Sequence, residues 1–517
     1  MNLRLISHIL GVISFIVAGF MMASLPWSLP VFGQVSQFDG RGFFGVLAAI
    51  LVSLIVSGLL LLYGRRAKSD RLLRREAMAA VGLAWLVATI LGALPYLFSG
   101  TCRGVDESGR HVPMSVFDAL FESASGYSGT GATVIANVED PDLVPRSVLF
   151  WRSETHFLGG LGIVVLFVAI LNIGSAAKQL IRAEVAAPSQ TSTHEQSRRA
   201  AMAFGTVFVG LNLILTVLLM MHGVSLYDAV CHAFGTVATG GFSTYNDSVG
   251  HFQDIRVELI IVLFMLLGCT NFGLLYFAAK GDVRRLFGDV EFRLYLTCCL
   301  LATLVVSGCL FLQYLPVRAN VFHSLRSALF QCVSVQTNTG FATDDFDKWP
   351  PFAKGVLLAL MYIGGCAGST SCSVKVIRYI FLFKILAAEI EQSYRPNVVR
   401  IIRIGGRPIT DADLLKSVLV YFGLVIVVTV FAWLALLALE PSSTWGPRAD
   451  QKMLDCFSAV AATINGVGPG LGMFGPMANY GPLHAPAKCI LTGLMLLGRL
   501  EFLPLLVLMM PRFWKSR

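Results

Sequence analysis

Charge is scarce in this chain. Charged residues occupy 14% of its 517 positions, where soluble globular chains carry about 25%. That balance excludes an ordinary water-soluble fold. Enzyme signatures are missing as well: no Walker loop, nucleophile elbow, dinucleotide fingerprint or metal-ligand cluster can be read along the sequence. An intramembrane enzyme would need titratable groups converging at one depth, and none stand out, so the chain is not expected to be an enzyme. The eleven cysteines form no CxxC pair, and many fall inside apolar runs, where a thiol serves as a small buried hydrophobe. No soluble domain or low-complexity linker interrupts the chain, which reads as one membrane domain.

Long apolar runs are what the sequence has instead. Hydrophobic residues make up 55% and the mean hydropathy is +0.70. A spanning helix needs about 20 mainly apolar residues. Candidate spans lie near 5–27, 42–63, 76–98, 147–173, 200–222, 255–279, 294–316, 352–386, 414–439 and 485–510. The first lacks a clear small-x-small cleavage site and reads as a retained span rather than a signal peptide. Lys and Arg gather in "GRRAKSDRLLRRE" (64–76), "KGDVRRLFGDVEFR" (280–293), "RPNVVRIIRIGGR" (395–407) and the tail. Positive residues mark the cytoplasmic side, so both termini are expected there. The net charge of +9 is thus a topology signal, and without a basic soluble domain it does not point to nucleic acid.

Between the spans, one pattern recurs. "FDALFESASGYSGTGA" (117–132) aligns without gaps on "YDAVCHAFGTVATGGF" (227–242), so that Asp118 meets Asp228 and Gly131 meets Gly241. A third copy is "RSALFQCVSVQTNTGF" (326–341), with Gly340 at the anchor. The fourth, "LDCFSAVAATINGVGP" (454–469), brings Asp455 and Gly468. Each copy follows a span, offers a helix-compatible segment too short to cross a bilayer, turns at glycine and continues into a second span. The fold is therefore expected to be an all-α integral membrane protein. Four span–pore loop–span units would stand in a pseudo-fourfold arrangement around one pore, after two leading spans. The expected divisions are 1–63, 64–175, 176–281, 282–408 and 409–517.

Glycine at each turn permits φ > 0 and aims carbonyls at an axis, and rings of carbonyls can replace the hydration shell of a cation. The turns themselves carry no charged side chain. Acidic residues in "NDS" and "TDDFD" lie just outside, where they would concentrate cations.

These features, with "FLGGLGIVVLFVAIL" (157–171), "KQLIRAE" (178–184), "GGCAGSTSCSVKVIR" (364–378) and "LLGRLEFLPLLVL" (496–508), make the chain resemble TrkH-type membrane subunits of bacterial Trk potassium-uptake systems, in the Trk/Ktr/HKT superfamily. The resemblance covers nearly the whole chain. It implies K+ uptake across the bacterial inner membrane through a selectivity filter. By position, the filter carbonyls would belong to Gly129 and Thr130, Thr239 and Gly240, Asn338 and Thr339, and Gly466 and Val467, beside the anchors Gly131, Gly241, Gly340 and Gly468. It also implies that the second span of the third unit is broken by a gating loop at 364–375, involving Gly364, Gly365, Gly368, Ser369 and Lys375, with Arg499 nearby. A homodimer, a cytoplasmic TrkA-like nucleotide-binding partner and no cofactor beyond K+ as the transported ion complete the expectation. Departures are Ser371, Cys372 and Ser373, where the family loop is richer in glycine, which would stiffen the gate, and Gly466, where Asn is common. An alternative is the potassium-translocating subunit of a P-type ATPase, whose core has related loops.

Other polar residues have narrower readings. Arg499 and Glu501 are charges within an apolar run; Arg499 reads as a gating or cavity residue, and Glu501 as a charge near a helix end that snorkels. Glu122 lies in the first short helix, where the other units carry His232, Gln331 and Ser458, and reads as a polar contact behind the filter. His156 reads as structural.

Overall fold

The computed structural model describes residues 1–33, 37–65, 74–106, 108–171, 194–318, 321–396, 402–404, 407–409 and 412–515. The "KQLIRAE" run and most of the basic connectors at 64–76 and 395–407 lie outside the described residues.

The principal helices, numbered in chain order, are α1 (Leu3–Ser24), α2 (Gly40–Gly64), α3 (Arg74–Phe98), α4 (Val116–Ser128), α5 (Arg146–Leu171), α6 (His194–Met221), α7 (Leu226–Val237), α8 (Ile255–Gly268), α9 (Phe272–Ala279), α10 (Val283–Gly288), α11 (Val290–Arg318), α12 (Val321–Gln336), α13 (Pro351–Leu360), α14 (Val376–Tyr394), α15 (Ala412–Leu439), α16 (Lys452–Ile464), α17 (Ala485–Arg499) and α18 (Leu503–Leu508). Two short hairpins, Cys102–Val105 with His111–Pro113 and Ile402–Ile404 with Arg407–Ile409, decorate the loops.

Six described helices are long and apolar enough to cross a membrane: Leu3–Ser28, Gly40–Gly64, Arg75–Phe98, Met202–Met221, Val290–Gln313 and Leu415–Leu439. The other runs read as spans behave differently. Helix α5 is continuous but carries Arg152 and Glu154 in its buried first half. The sequence reading broke only the third unit's second span. The structure breaks those of the second and fourth units as well. Helices α8 and α9 meet at 110°, because Asn271 caps α9, accepting from the backbone N–H groups of Gly273 and Leu274 at 2.8 and 3.2 Å. An Asn cap starts a new helix rather than continuing the old one. In the fourth unit, Glu501 and Phe502 have φ of +52° and +68°. Pro504 follows at once, near the start of α18, and its ring cannot continue the preceding helix.

Helices α1 and α2 pair as a leading hairpin held by polar ties suited to a medium without water: Ser7 Oγ donates to Leu60 O at 2.9 Å and Ser57 Oγ to Gly11 O at 2.8 Å. The remaining helices form four units around one axis. Each has a short helix of 12 to 16 residues, α4, α7, α12 and α16. At 1.5 Å per residue these reach about 18 to 24 Å, less than the roughly 30 Å hydrocarbon thickness. Their outer ends are fixed locally. Ser115 and Asp118 form a capping box on α4, and Ser225 Oγ accepts from Asp228 N at 3.1 Å on α7. In the fourth unit Asp455 instead accepts from Trp445 Nε1 at 2.9 Å and Met473 N at 3.2 Å, holding the returning chain.

Candidate functional site

The four short helices end in four turns of one design. Gly129, Thr239, Asn338 and Gly466 have φ of +68°, +54°, +57° and +68°; Gly131, Gly241, Gly340 and Gly468, two residues on, have +77°, +78°, +78° and +93°. The intervening residue is tied back to its helix by one matched bond in each unit: Thr130 N to Ser125 O at 2.9 Å, Gly240 N to Gly235 O at 2.7 Å, Thr339 N to Ser334 O at 2.9 Å and Val467 N to Ala462 O at 2.8 Å. With the amides bound inward and left-handed conformations on either side, the carbonyls of these residues turn toward the neighbouring unit.

The neighbours close a ring. A β-carbon on Gly131 would collide with the carbonyl of Gly240, one on Gly241 with Thr339 O, one on Gly340 with Val467 O, and one on Gly468 with Thr130 O. Each unit's anchor glycine faces the next unit's carbonyl, and the fourth returns to the first. A β-carbon at Gly129 would lie 3.5 Å from Thr239 O, and one at Gly466 3.8 Å from Gly129 O, so a further layer of carbonyls stands beside the first. Gly466 keeps the conformation of Gly129.

Side chains lock each outgoing strand behind its turn. Glu122 accepts from Val134 N and Thr133 Oγ1, both at 2.9 Å, and pairs with Arg152 Nε at 2.6 Å. His232 Nε2 meets Ser243 Oγ at 3.0 Å, Gln331 Nε2 donates to Asp344 O at 3.2 Å, and Ser458 Oγ accepts from Leu471 N at 2.9 Å. Strict register puts Ala459, not Ser458, opposite Glu122. The serine, one residue earlier, nonetheless reaches the same strand. Arg152 also donates to Ser243 O at 3.2 Å and stacks 3.4 Å from the Phe242 ring centroid, joining the first two units. His156 does likewise: Nδ1 meets Gly126 O at 2.8 Å and Nε2 accepts from Phe242 N at 3.1 Å. Both nitrogens are thus committed to packing.

Outside the ring lies a cavity of about 120 Å³, lined by the four anchor glycines with Tyr245, Asn246, Asn479 and Tyr480 among others. Among the described residues no carboxylate lines it. Of the carboxylates expected at the mouth, Asp344 and Asp345 serve local ties to Trp349 and Lys348, and Asp347 accepts from Gly472 N of the fourth unit at 2.9 Å.

On the other side of the ring, residues 364–375 form no helix. The loop is pinned to the ends of the short helices from three units. Cys372 Sγ lies 3.2 Å from Ser128 O, Thr370 Oγ1 donates to Val237 O at 2.9 Å, and Ser373 Oγ meets Asn465 Oδ1 at 3.0 Å. Gly364 stands beside the buried Asn338 amide, whose two polar atoms have no partner among the described residues. Gly368 is left-handed at +73°, Ser369 Oγ donates to Cys366 O at 2.6 Å, and Gly365 N donates to Ser371 Oγ at 3.1 Å. Lys375 folds back so that its ammonium donates to Ser371 O. Arg499, buried, donates to Thr370 O at 2.5 Å and Gly159 O at 2.9 Å, with Cys372 Sγ at 3.3 Å. Glu501 pairs instead with Arg378 on α14. The sequence reading missed Arg152, Asn271 and Glu291, whose roles depend on partners far along the chain. Among the described residues no group of three or more His, Cys, Asp or Glu is placed to hold a metal.

A closed ring of carbonyls from four matched turns, inside a bundle of apolar helices, defines a membrane protein of the pore-loop class. Comparison with known proteins narrows this. The family model described as TrkH, cation transport protein, matches residues 45–516. The Trk system potassium uptake proteins TrkH of Salmonella typhimurium (strain LT2) and Escherichia coli (strain K12) are 35% and 34% identical to this chain, each over 100% of both chains. The crystal structure of the potassium transporter TrkH from Vibrio parahaemolyticus is similar over 100% of both chains, with a TM-score of 0.82 and 32% identity. The chain belongs to the TrkH cation transport protein family.

Proposed function

We propose that this protein is the membrane component of a Trk potassium-uptake system, carrying K+ through the carbonyl ring. The observation that carries the reading is the cyclic contact of each anchor glycine with the next unit's carbonyl. Such a ring offers dipoles in place of water, without a fixed charge that would favour divalent ions. The names of the full-length relatives, all Trk system potassium uptake proteins, support K+ as the ion. They favour this over the translocating subunit of a P-type ATPase.

In this reading Gly129, Thr130, Thr239, Gly240, Asn338, Thr339, Gly466 and Val467 supply the filter carbonyls. The loop 364–375 is the gate, and Arg499 holds its closed form by donating to Thr370 O. The leading hairpin spans 1–63, and the four units divide near 175, 281 and 408. The protein sits in the bacterial inner membrane with both termini cytoplasmic, pairs as a homodimer and is regulated by a cytoplasmic TrkA-like nucleotide-binding subunit. The test is K+ and Na+ flux into liposomes containing the purified protein, with and without a pH gradient. K+ flux well above Na+ flux supports the reading, and equal fluxes overturn it.

A further inference from the structure

The gate loop is gripped at Ala367 from both sides. Ala367 N donates to Glu291 Oε1 at 2.8 Å, while Ala367 O accepts from Asn271 Nδ2 at 2.6 Å. Asn271 sits at the break between α8 and α9, and Glu291 in the first turn of α11. The chain from one to the other is only α9, α10 and their short connections. One short segment therefore holds one loop residue with both of its ends.

Each end does more than touch Ala367. The same Glu291 oxygen accepts from Ile377 N at 3.0 Å, so one carboxylate oxygen bridges the loop and the start of α14. Glu291 is buried, and none of the ion pairs found among the described residues includes it. Its satisfaction comes from those two amides. Around Asn271, Phe272 N donates to Gly368 O at 3.1 Å, Cys366 N to Cys269 O at 2.9 Å and Thr370 N to Gly268 O at 3.3 Å. The broken end of α8 is thus the bed on which the loop lies.

We propose that the segment Asn271–Glu291 is a two-ended clamp, with Asn271 and Glu291 as positioning residues that keep the loop seated beneath the carbonyl ring. The proposal rests on the reading of 364–375 as the gate. Movement of α9 or α10 shifts both anchors of Ala367 together, so the clamp is where a displacement of this segment becomes a displacement of the loop. The break in the second span of unit two thereby gains a purpose that a straight span would not serve.

The chemistry allows selective variants. Glu291→Gln keeps the Oε1 acceptor for both amides, whereas Glu291→Ala removes it. Asn271→Asp keeps the oxygen that caps α9 but has no N–H for Ala367 O. The full-length proteins are reconstituted in liposomes and K+ and Na+ fluxes recorded, with deletion of 366–373 as reference. Glu291→Ala and Asn271→Asp are expected to raise K+ flux about tenfold, as loss of a buried charge-assisted or amide bond should, with an unchanged K+/Na+ ratio; Glu291→Gln should stay near the parent. If the deletion raises flux but Glu291→Ala and Asn271→Asp do not, the clamp is overturned and the gate reading stands. If Gln acts like Ala, charge rather than the shared acceptor matters, and the clamp is again overturned. If the deletion itself leaves flux unchanged, the gate reading fails and takes the clamp with it. Should Glu291→Ala not fold, Asn271→Asp and Glu291→Asp, one methylene too short, decide the matter.

Discussion

Arg499 Nη1 donates to the carbonyl of Thr370 at 2.5 Å, joining residues 129 positions apart. The guanidinium comes from the last turn of α17 and the carbonyl from the loop beneath the ring. Among the described residues no carboxylate neutralises Arg499; its two Nη groups donate to Thr370 O and Gly159 O, while its buried Nε has no hydrogen-bond partner among them. Removing it should loosen the loop's seated form. A charge-assisted bond contributes about 1.5–3 kcal/mol. Arg499→Ala is therefore expected to raise K+ flux in liposomes about tenfold or more, with selectivity unchanged. Lower flux in a folded variant would show that Arg499 supports conduction instead.

The three consecutive residues Ser371, Cys372 and Ser373 of the loop each make a tie. Ser371 accepts from Gly365 N, Cys372 meets Ser128 O, and Ser373 reaches Asn465 and Met361 O. Ser373 does so at φ +54°, a conformation that costs a non-glycine residue. Replacing Ser371 and Cys372 together by glycine should raise flux by roughly thirtyfold, since two buried bonds of about 1 kcal/mol each are lost. Unchanged flux would mean these side chains fill space without restraining the loop.

The Glu122–Arg152 pair is a separate matter of stability. Both side chains are buried, 2.6 Å apart, and support two strands behind the ring. Glu122→Ala leaves Arg152 buried without its partner, a loss of about 3–5 kcal/mol. A markedly lower thermal unfolding temperature in detergent is expected, with a smaller drop for Glu122→Gln. An unchanged melting temperature would place this pair outside the fold's main supports.

Assembly has its own test. Native mass measurement of the purified protein should give a dimer, and co-purification should bring down a nucleotide-binding cytoplasmic protein. Monomers with no such companion would contradict the proposed assembly.

The sequence showed the four turns because glycine recurs at one offset from a short amphipathic segment, and φ > 0 at Gly131, Gly241, Gly340 and Gly468 is the cause of that recurrence. The loop at 364–375 was legible because small residues crowd a position where a span belongs. The breaks at 269–271 and 500–502 were not, since each lies inside an apolar run whose average conceals it. The Asn-Phe-Gly and Glu-Phe-Leu-Pro stretches carried the local signal. Glu291 was read only as part of a basic connector. Its role depends on Ala367 and Ile377, 76 and 86 positions away, and no spacing rule brings those together.

The carbonyl ring is tested most directly by single substitutions of Gly131, Gly241, Gly340 and Gly468 with Ser. Each added β-carbon meets the next unit's carbonyl and each site has φ well above zero, so the ring must distort. The measurement is the K+/Na+ flux ratio in liposomes, made on variants that elute and melt like the parent. The expected result is a reduced ratio or lost K+ flux in every one. Four folded variants that all retain the parent's ratio would show that these carbonyls do not select the ion.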